Sequence, residues 1–210
     1  MSSPNASTLT KSEAANEPSS DTRIYHERQQ LQLCLLHALN NLLQAKEFTR
    51  LELNEIADGL SKAGIEESSQ FTSIVFKQHR NVITGNYDVN VLIAALESRG
   101  MDVMWYDRRK GSAGLDLSKY GEQLVGIIAN YARRRYISLW KSRHWVALRE
   151  IGGTWYNLDS DLAAPRPLCD LDEDLKNFVE MIFSNQGEVF IILDKDDSRN
   201  SSDGVKYSVN

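Results

Sequence analysis

The stretch His144-Trp-Val-Ala-Leu-Arg-Glu-Ile-Gly-Gly-Thr-Trp-Tyr-Asn-Leu-Asp-Ser160 decides how the chain folds. Two β-rich runs flank Gly152-Gly153, and a two-residue type I′ turn needs positive φ at both central positions. The stretch therefore predicts a β-hairpin in which Ile151 pairs with Thr154. Continuing that register, Val146 faces Asp159 and His144 faces Asp161. Strand side chains alternate with period two, so His144, Val146, Asp159 and Asp161 share one face. His144 and Asp159 are then diagonal neighbours within side-chain reach. A carboxylate on one imidazole nitrogen fixes the tautomer and leaves the other nitrogen to take a proton.

Upstream, "MDVMWYD" and "LVGIIAN" read as strands, as does "EVFIILD" near the end. Helices come mostly earlier. In "QQLQLCLLHALNNLLQ", Leu35, Leu36, Leu39, Leu42 and Leu43 recur at helical spacing, with His37, Asn40, Asn41 and Gln44 on the other side. Thr49 and Glu52 have capping-box spacing ahead of Leu53, Ile56, Ala57 and Leu60. A third helix reads in "YDVNVLIAALESRG", with Asp88 as N-cap and Gly100 as C′ residue, and Asp170 and Glu173 head a last helix, "LDEDLKNFVEMIF". Helices first and strands later predict an α+β fold with an antiparallel sheet. From Ser61 to Thr84 the period weakens, which predicts a mobile, mostly helical arm or a loop.

With 210 residues, 41% of them hydrophobic, the chain has room for one domain with a sizeable core. Residues 1 to about 22 and those from about Lys195 onward are polar and poor in large apolar side chains; both are expected to be disordered tails around a folded unit over 23–194. The net charge of -5 offers no field for nucleic acid. The basic cluster Arg133-Arg134-Arg135 reads as a solvated loop. No apolar run approaches the roughly 18 residues a bilayer needs, so no membrane insertion is expected. The N-terminus lacks the apolar region of a secretory signal, and the two cysteines form no CxxC pair. A reducing cytosolic or nuclear setting follows.

Cys34 has two readings. It is a small core residue, or a nucleophile at a helix N-terminus, where the dipole favours a thiolate. A helix-borne cysteine, a strand-borne histidine and a carboxyl or amide nearby make the papain-type layout. Their sequence separation cannot itself prove contact. His37, three residues after Cys34, reads as structural, since nucleophile and base on one rigid rod would lack an orienting group. His26 reads as a hydrogen-bonding residue of the N-terminal segment, His79 as exposed and Cys169 as an inert thiol. Asp161 competes with Asp159 as orienting residue, and Asn157 reads as structural. No three of these histidines and cysteines have a familiar ligand spacing, so no metal and no cofactor are expected. Tyr136, Trp140 and Trp145 read either as core or as the frame of a groove.

Three blocks, "IYHERQQLQLCLLHALNNLLQ", "GNYDVNVLIAAL" followed by "VMWYDRRK", and "HWVALREIGGTWYNLDS", closely resemble the Josephin family of papain-like deubiquitinating enzymes. They stand in family order and cover most of Ile24 to Asp194. The resemblance implies N-terminal helices packed on the sheet with a catalytic cleft between them. It also implies hydrolysis of the bond after the C-terminal glycine of ubiquitin. Carried over by motif, Cys34 is the nucleophile, His144 the general base and later acid, and Asp159 the orienting third member. The Gln29 amide and the Cys34 backbone N–H would receive the oxyanion. The expected partners are ubiquitin and ubiquitinated proteins, met by a monomer. A non-catalytic ubiquitin-binding adaptor with the same fold, and a papain-like peptidase with unrelated substrates, are the competing readings.

Overall fold

The computed structural model describes residues 23–30, 33–67, 87–134 and 141–195. Both tails beyond Lys195 and before Arg23, the arm between residues 68 and 84, and His79, Tyr136 and Trp140 lie outside these residues.

Three helices lead the chain: α1 (Cys34–Leu43), α2 (Arg50–Glu67) and α3 (Val89–Glu97). The capping box of α2 forms as its spacing predicts: the Thr49 amide donates to Glu52 Oε2 at 2.8 Å and the Glu52 amide to Thr49 Oγ1 at 3.3 Å. Asp88 caps α3 by accepting from the amides of Asn90 and Val91. The strands follow: β1 (Met101–Trp105), β2 (Leu124–Arg134), β3 (Lys141–Ile151), β4 (Thr154–Asn157), a two-residue β5 (Arg166–Pro167) and β6 (Glu188–Asp194). α4 (Leu171–Ser184), capped by Asp170, is inserted before β6. They form one six-stranded sheet in the order β1-β6-β2-β3-β4-β5, antiparallel at each pairing. Among the strands of the described residues, β5 alone escapes the sequence reading, because two residues carry no period.

Strand alternation sends one set of side chains to each face of this sheet. Ile128, Trp145, Ala147, Phe190 and Ile192 pack with the leucines of α1 and with α2 and α3. Ile127, Ala129, Leu148, Val189 and Ile191 face the other way and meet Leu175, Val179 and Ile182 of α4. The sheet is thus covered on both faces, α4 supplying the second layer. Trp145 belongs wholly to the core and frames no groove; its indole donates to the Tyr87 carbonyl at 3.3 Å. At Gly126, where β2 is irregular, a Cβ would stand 2.5 Å from the Leu148 carbonyl oxygen and 2.8 Å from Leu42 Cδ1. The missing side chain lets the end of α1 press onto the sheet. Among the described residues, no helix is long and apolar enough to cross a membrane.

The polar side of α1 is where the pattern misleads. His37, Asn40 and Asn41 are buried, not solvated. The N-terminal segment 23–30 runs over them and supplies Glu27. Its carboxylate accepts from His37 Nδ1 at 2.7 Å and from Asn40 Nδ2 at 3.1 Å, and the Tyr25 hydroxyl donates to it as well. His37 Nε2 accepts the Gln30 amide at 3.3 Å, so the proton of this neutral ring sits on Nδ1. Asn41 donates to the carbonyls of Glu27 and Leu158, and Asn40 exchanges two bonds with the Phe48 backbone. Buried polar groups are tolerated because each finds a partner.

Candidate active site

Gly152 and Gly153 take φ of 59° and 80°, Ile151 pairs with Thr154 and Leu148 with Asn157, as the turn chemistry predicts. The Leu158 amide still reaches the Ala147 carbonyl at 2.8 Å, one step past the end of β4. There the chain turns. Asn157 Oδ1 accepts the Asp159 amide at 2.9 Å, Asp159 Oδ1 accepts the Asp161 amide at 2.9 Å, and the Asp159 carbonyl accepts the Leu162 amide. This turn separates the two candidate carboxylates. Asp159 Oδ1 lies 2.7 Å from His144 Nε2, while Asp161, instead of opposing His144, reaches the Arg133 guanidinium. Arg133 belongs to β2 and to that ion pair, not to a solvated loop.

Past Leu148 toward its start, β3 has no β4 partner, and the head of α1 meets the vacated edge. Cys34 Sγ donates to the Arg143 carbonyl at 3.8 Å, and the amides of Trp145, Leu35 and Cys34 itself favour its thiolate. The sulfur, the imidazole and the Asp159 carboxylate are therefore grouped where α1, β3 and the loop after β4 converge. Asp159 is close enough that its charge acts on Cys34, and both groups act on Tyr131. Tyr131 pairs with His144 across β2 and β3 and presents its ring edge-on, centroids 5.7 Å apart.

At Cys34 burial and the helix dipole pull in opposite directions. Cys34 is 3% exposed, and burial pushes its thiol up to about 11 despite the three amides. Burial of the thiol thus outweighs the pull of the backbone amides at the head of α1. The chemistry of this sulfur needs a base.

Gln29 joins the site through its backbone: its amide donates to the Ser160 carbonyl at 2.7 Å, and Ser160 Oγ donates to Gln29 Oε1 at 3.4 Å. His26, read as a hydrogen-bonding residue, contacts the Asp159 carbonyl through Nε2 at 3.1 Å. α1 itself has no side-chain cap and no acidic residue in its first turn. Cys169 is exposed, just ahead of the Asp170 cap of α4. Among the described residues, His144, Asp159 and Asp161 bring ligand-type atoms within 4.8 Å of one another. The imidazole–carboxylate bond and the Arg133 ion pair account for that cluster, and it offers no further donor typical of a transition-metal site.

The residues 29–193 match the Josephin family profile. This chain belongs to the Josephin family. A Josephin-like protein of Arabidopsis thaliana is 49% identical over 167 residues, 79% of this chain and 46% of the relative. Josephin-2 of Homo sapiens is 37% identical over 190 residues, covering 88% of this chain and 94% of its own length. The ataxin-3-like protein of Homo sapiens is more distant, 28% identical over 177 residues, 80% of this chain and 46% of that protein. The match thus spans under half of the Arabidopsis relative and nearly all of human Josephin-2. Membership of this Josephin chain agrees with the helices and antiparallel sheet described above.

Proposed function

We propose that this Josephin chain is a thiol-dependent deubiquitinating enzyme. In this reading residues 23–194 form the catalytic unit, and the bond after the C-terminal glycine of ubiquitin is cleaved through an acyl-enzyme on Cys34. The observation that carries it is the 2.7 Å contact of His144 Nε2 with Asp159, beside a cysteine at the head of α1. With Nε2–H held by the carboxylate, Nδ1 is left with its lone pair as the base. His144 takes the Cys34 proton, and sulfur attacks the glycine carbonyl carbon. The oxyanion is received by the Cys34 backbone N–H and the Gln29 side-chain amide, donors of a kind typically worth about 10²–10³ in rate. The imidazolium then gives its proton to the leaving amine, and the C–N bond breaks to a thioester. Water, deprotonated by His144, hydrolyses the thioester and frees the thiol.

The raised thiol makes His144 indispensable rather than auxiliary, because the sulfur is protonated until substrate arrives. Burial of Cys34 and His144 also means that a substrate tail enters only as the surrounding chain gives way. The decisive experiment is labelling with ubiquitin bearing a C-terminal electrophile. Wild-type protein should form a stable adduct and Cys34→Ala none. An adduct undiminished in Cys34→Ala removes the nucleophile assignment. Binding of ubiquitin without any turnover of a ubiquitin–fluorophore amide supports the adaptor reading instead.

A further inference from the structure

The imidazole is enclosed by a ring of contacts that reaches beyond the three residues of the proposed reaction. Tyr131 and Arg133 lie two positions apart on β2, so both side chains stand on the face that carries His144. The Tyr131 ring meets His144 edge-on. Arg133 spans to Asp161, whose amide donates to Asp159 Oδ1 at 2.9 Å, and that same oxygen holds His144 Nε2 at 2.7 Å. The circuit runs from β2, over the end of β3, to the loop after β4. It ties together two segments that share no ladder hydrogen bonds, since β3 lies between them.

We infer that the Arg133–Asp161 ion pair is a positioning brace: it fixes the 159–161 turn so that Asp159 holds the His144 ring in the orientation that faces Cys34. This deepens the hydrolase reading and rests on it. Three observations converge. Asp159 is placed by a loop, not by the ladder, because β4 ends at Asn157. A loop carboxylate needs external restraint to hold an imidazole within the narrow tolerance of acid–base geometry. Asp161 uses its backbone on Asp159 and its side chain on Arg133, so one residue couples the two bonds. Finally, the Arg133 charge acts on Tyr131, the ring that meets His144 edge-on, so one cation bears on both sides of the imidazole. The planar fork of an arginine holds a carboxylate in one orientation better than a lysine ammonium does.

As an ordinary surface pair, with side chains 43% and 32% exposed, it would contribute little to stability. The inference places its effect in the rate. Arg133→Gln and Asp161→Asn should each lower kcat on a ubiquitin–fluorophore amide about tenfold, less than the ~10²-fold that a 1 Å misplacement can cost. KM and the melting temperature should stay near wild type. Because both variants cut one circuit, the double variant should be no worse than either single one. Arg133→Lys, which keeps the charge without the fork, should fall between. In a Cys34→Ala background, the hydrogen-bonded imidazole proton of His144 should give a downfield NMR signal that broadens in Arg133→Gln and in Asp161→Asn. Unchanged kcat, losses that multiply in the double variant, or an unaltered imidazole signal would each overturn the brace. A wild-type protein without Cys34-dependent turnover would instead sink the hydrolase reading, while the imidazole signal still judges the brace by itself.

Discussion

Asp159 holds His144 through a single oxygen: Oδ1 lies 2.7 Å from the imidazole Nε2 and accepts the Asp161 amide at 2.9 Å as well. The carboxylate acts here as an acceptor, and an amide oxygen can take that place. Asp159→Asn should keep kcat within about tenfold of wild type, whereas Asp159→Ala, which leaves the ring unoriented, should lose about 10²-fold or more. Steady-state turnover of a ubiquitin amide measures both, and equal losses would show that the charge, not the orientation, matters.

The two cysteines differ in access, and alkylation should separate them. Cys169 is exposed, while Cys34 is buried with its thiol pushed up to about 11. Iodoacetamide at neutral pH should modify Cys169 first, followed by peptide mass spectrometry. A ubiquitin electrophile should reverse the order and mark Cys34, because binding brings the base and the oxyanion donors into play.

Alkaline stability carries the same signature. An unfolded cysteine ionises near 9 and folded Cys34 near 11, so across that window the folded state keeps a proton that the unfolded chain has lost. The contribution is complete below pH 9, declines as pH rises and is gone above 11, a loss of ~2–3 kcal/mol over two units. Denaturant melts from pH 8 to 11 should show wild type losing stability relative to Cys34→Ala by about that amount.

Glu27 serves three buried or half-buried donors at once: His37, Asn40 and Tyr25. Glu27→Ala strands them, and each unsatisfied buried group costs about 1–3 kcal/mol. The variant should melt several degrees lower, and its kcat should fall too, since segment 23–30 carries Gln29. A lowered melting point with unchanged kcat would uncouple the segment from the site.

Gly126→Ala places a methyl against the Leu148 carbonyl and Leu42. Such overpacking typically costs about 1–3 kcal/mol. Calorimetry should find the loss, with Leu42→Ala in the same chain recovering less than it costs alone.

How much of this was legible in the sequence depended on whether the controlling interaction was local. The Gly152-Gly153 turn fixes the register of β3 and β4 within a few residues, so the His144–Asp159 proximity could be read directly. The caps of α2, α3 and α4 are equally local. Choosing Asp159 over Asp161 was not possible from strand register, because the Asn157 side chain ends the strand by capturing the next turn. The buried polar side of α1 was invisible for another reason: amphipathic pattern reports hydrophobicity, and Glu27, which makes His37 and Asn40 buriable, lies ten and thirteen residues away. The raised thiol was missed because a helix N-terminus is legible and desolvation is not. Arg133 looked like one charge in a run until β2 placed it beside Tyr131 and across from Asp161.

The segment 23–30 belongs to no helix or strand, yet it is stitched to α1 through Glu27 and to the 158–160 loop through His26 and Gln29. Mechanical load applied to it is delivered to the helix that carries Cys34 and to the loop that carries Asp159 together. A pull from just upstream would therefore act on Cys34 and Asp159 at once, whereas β6 lies on the far side of β2 from that loop.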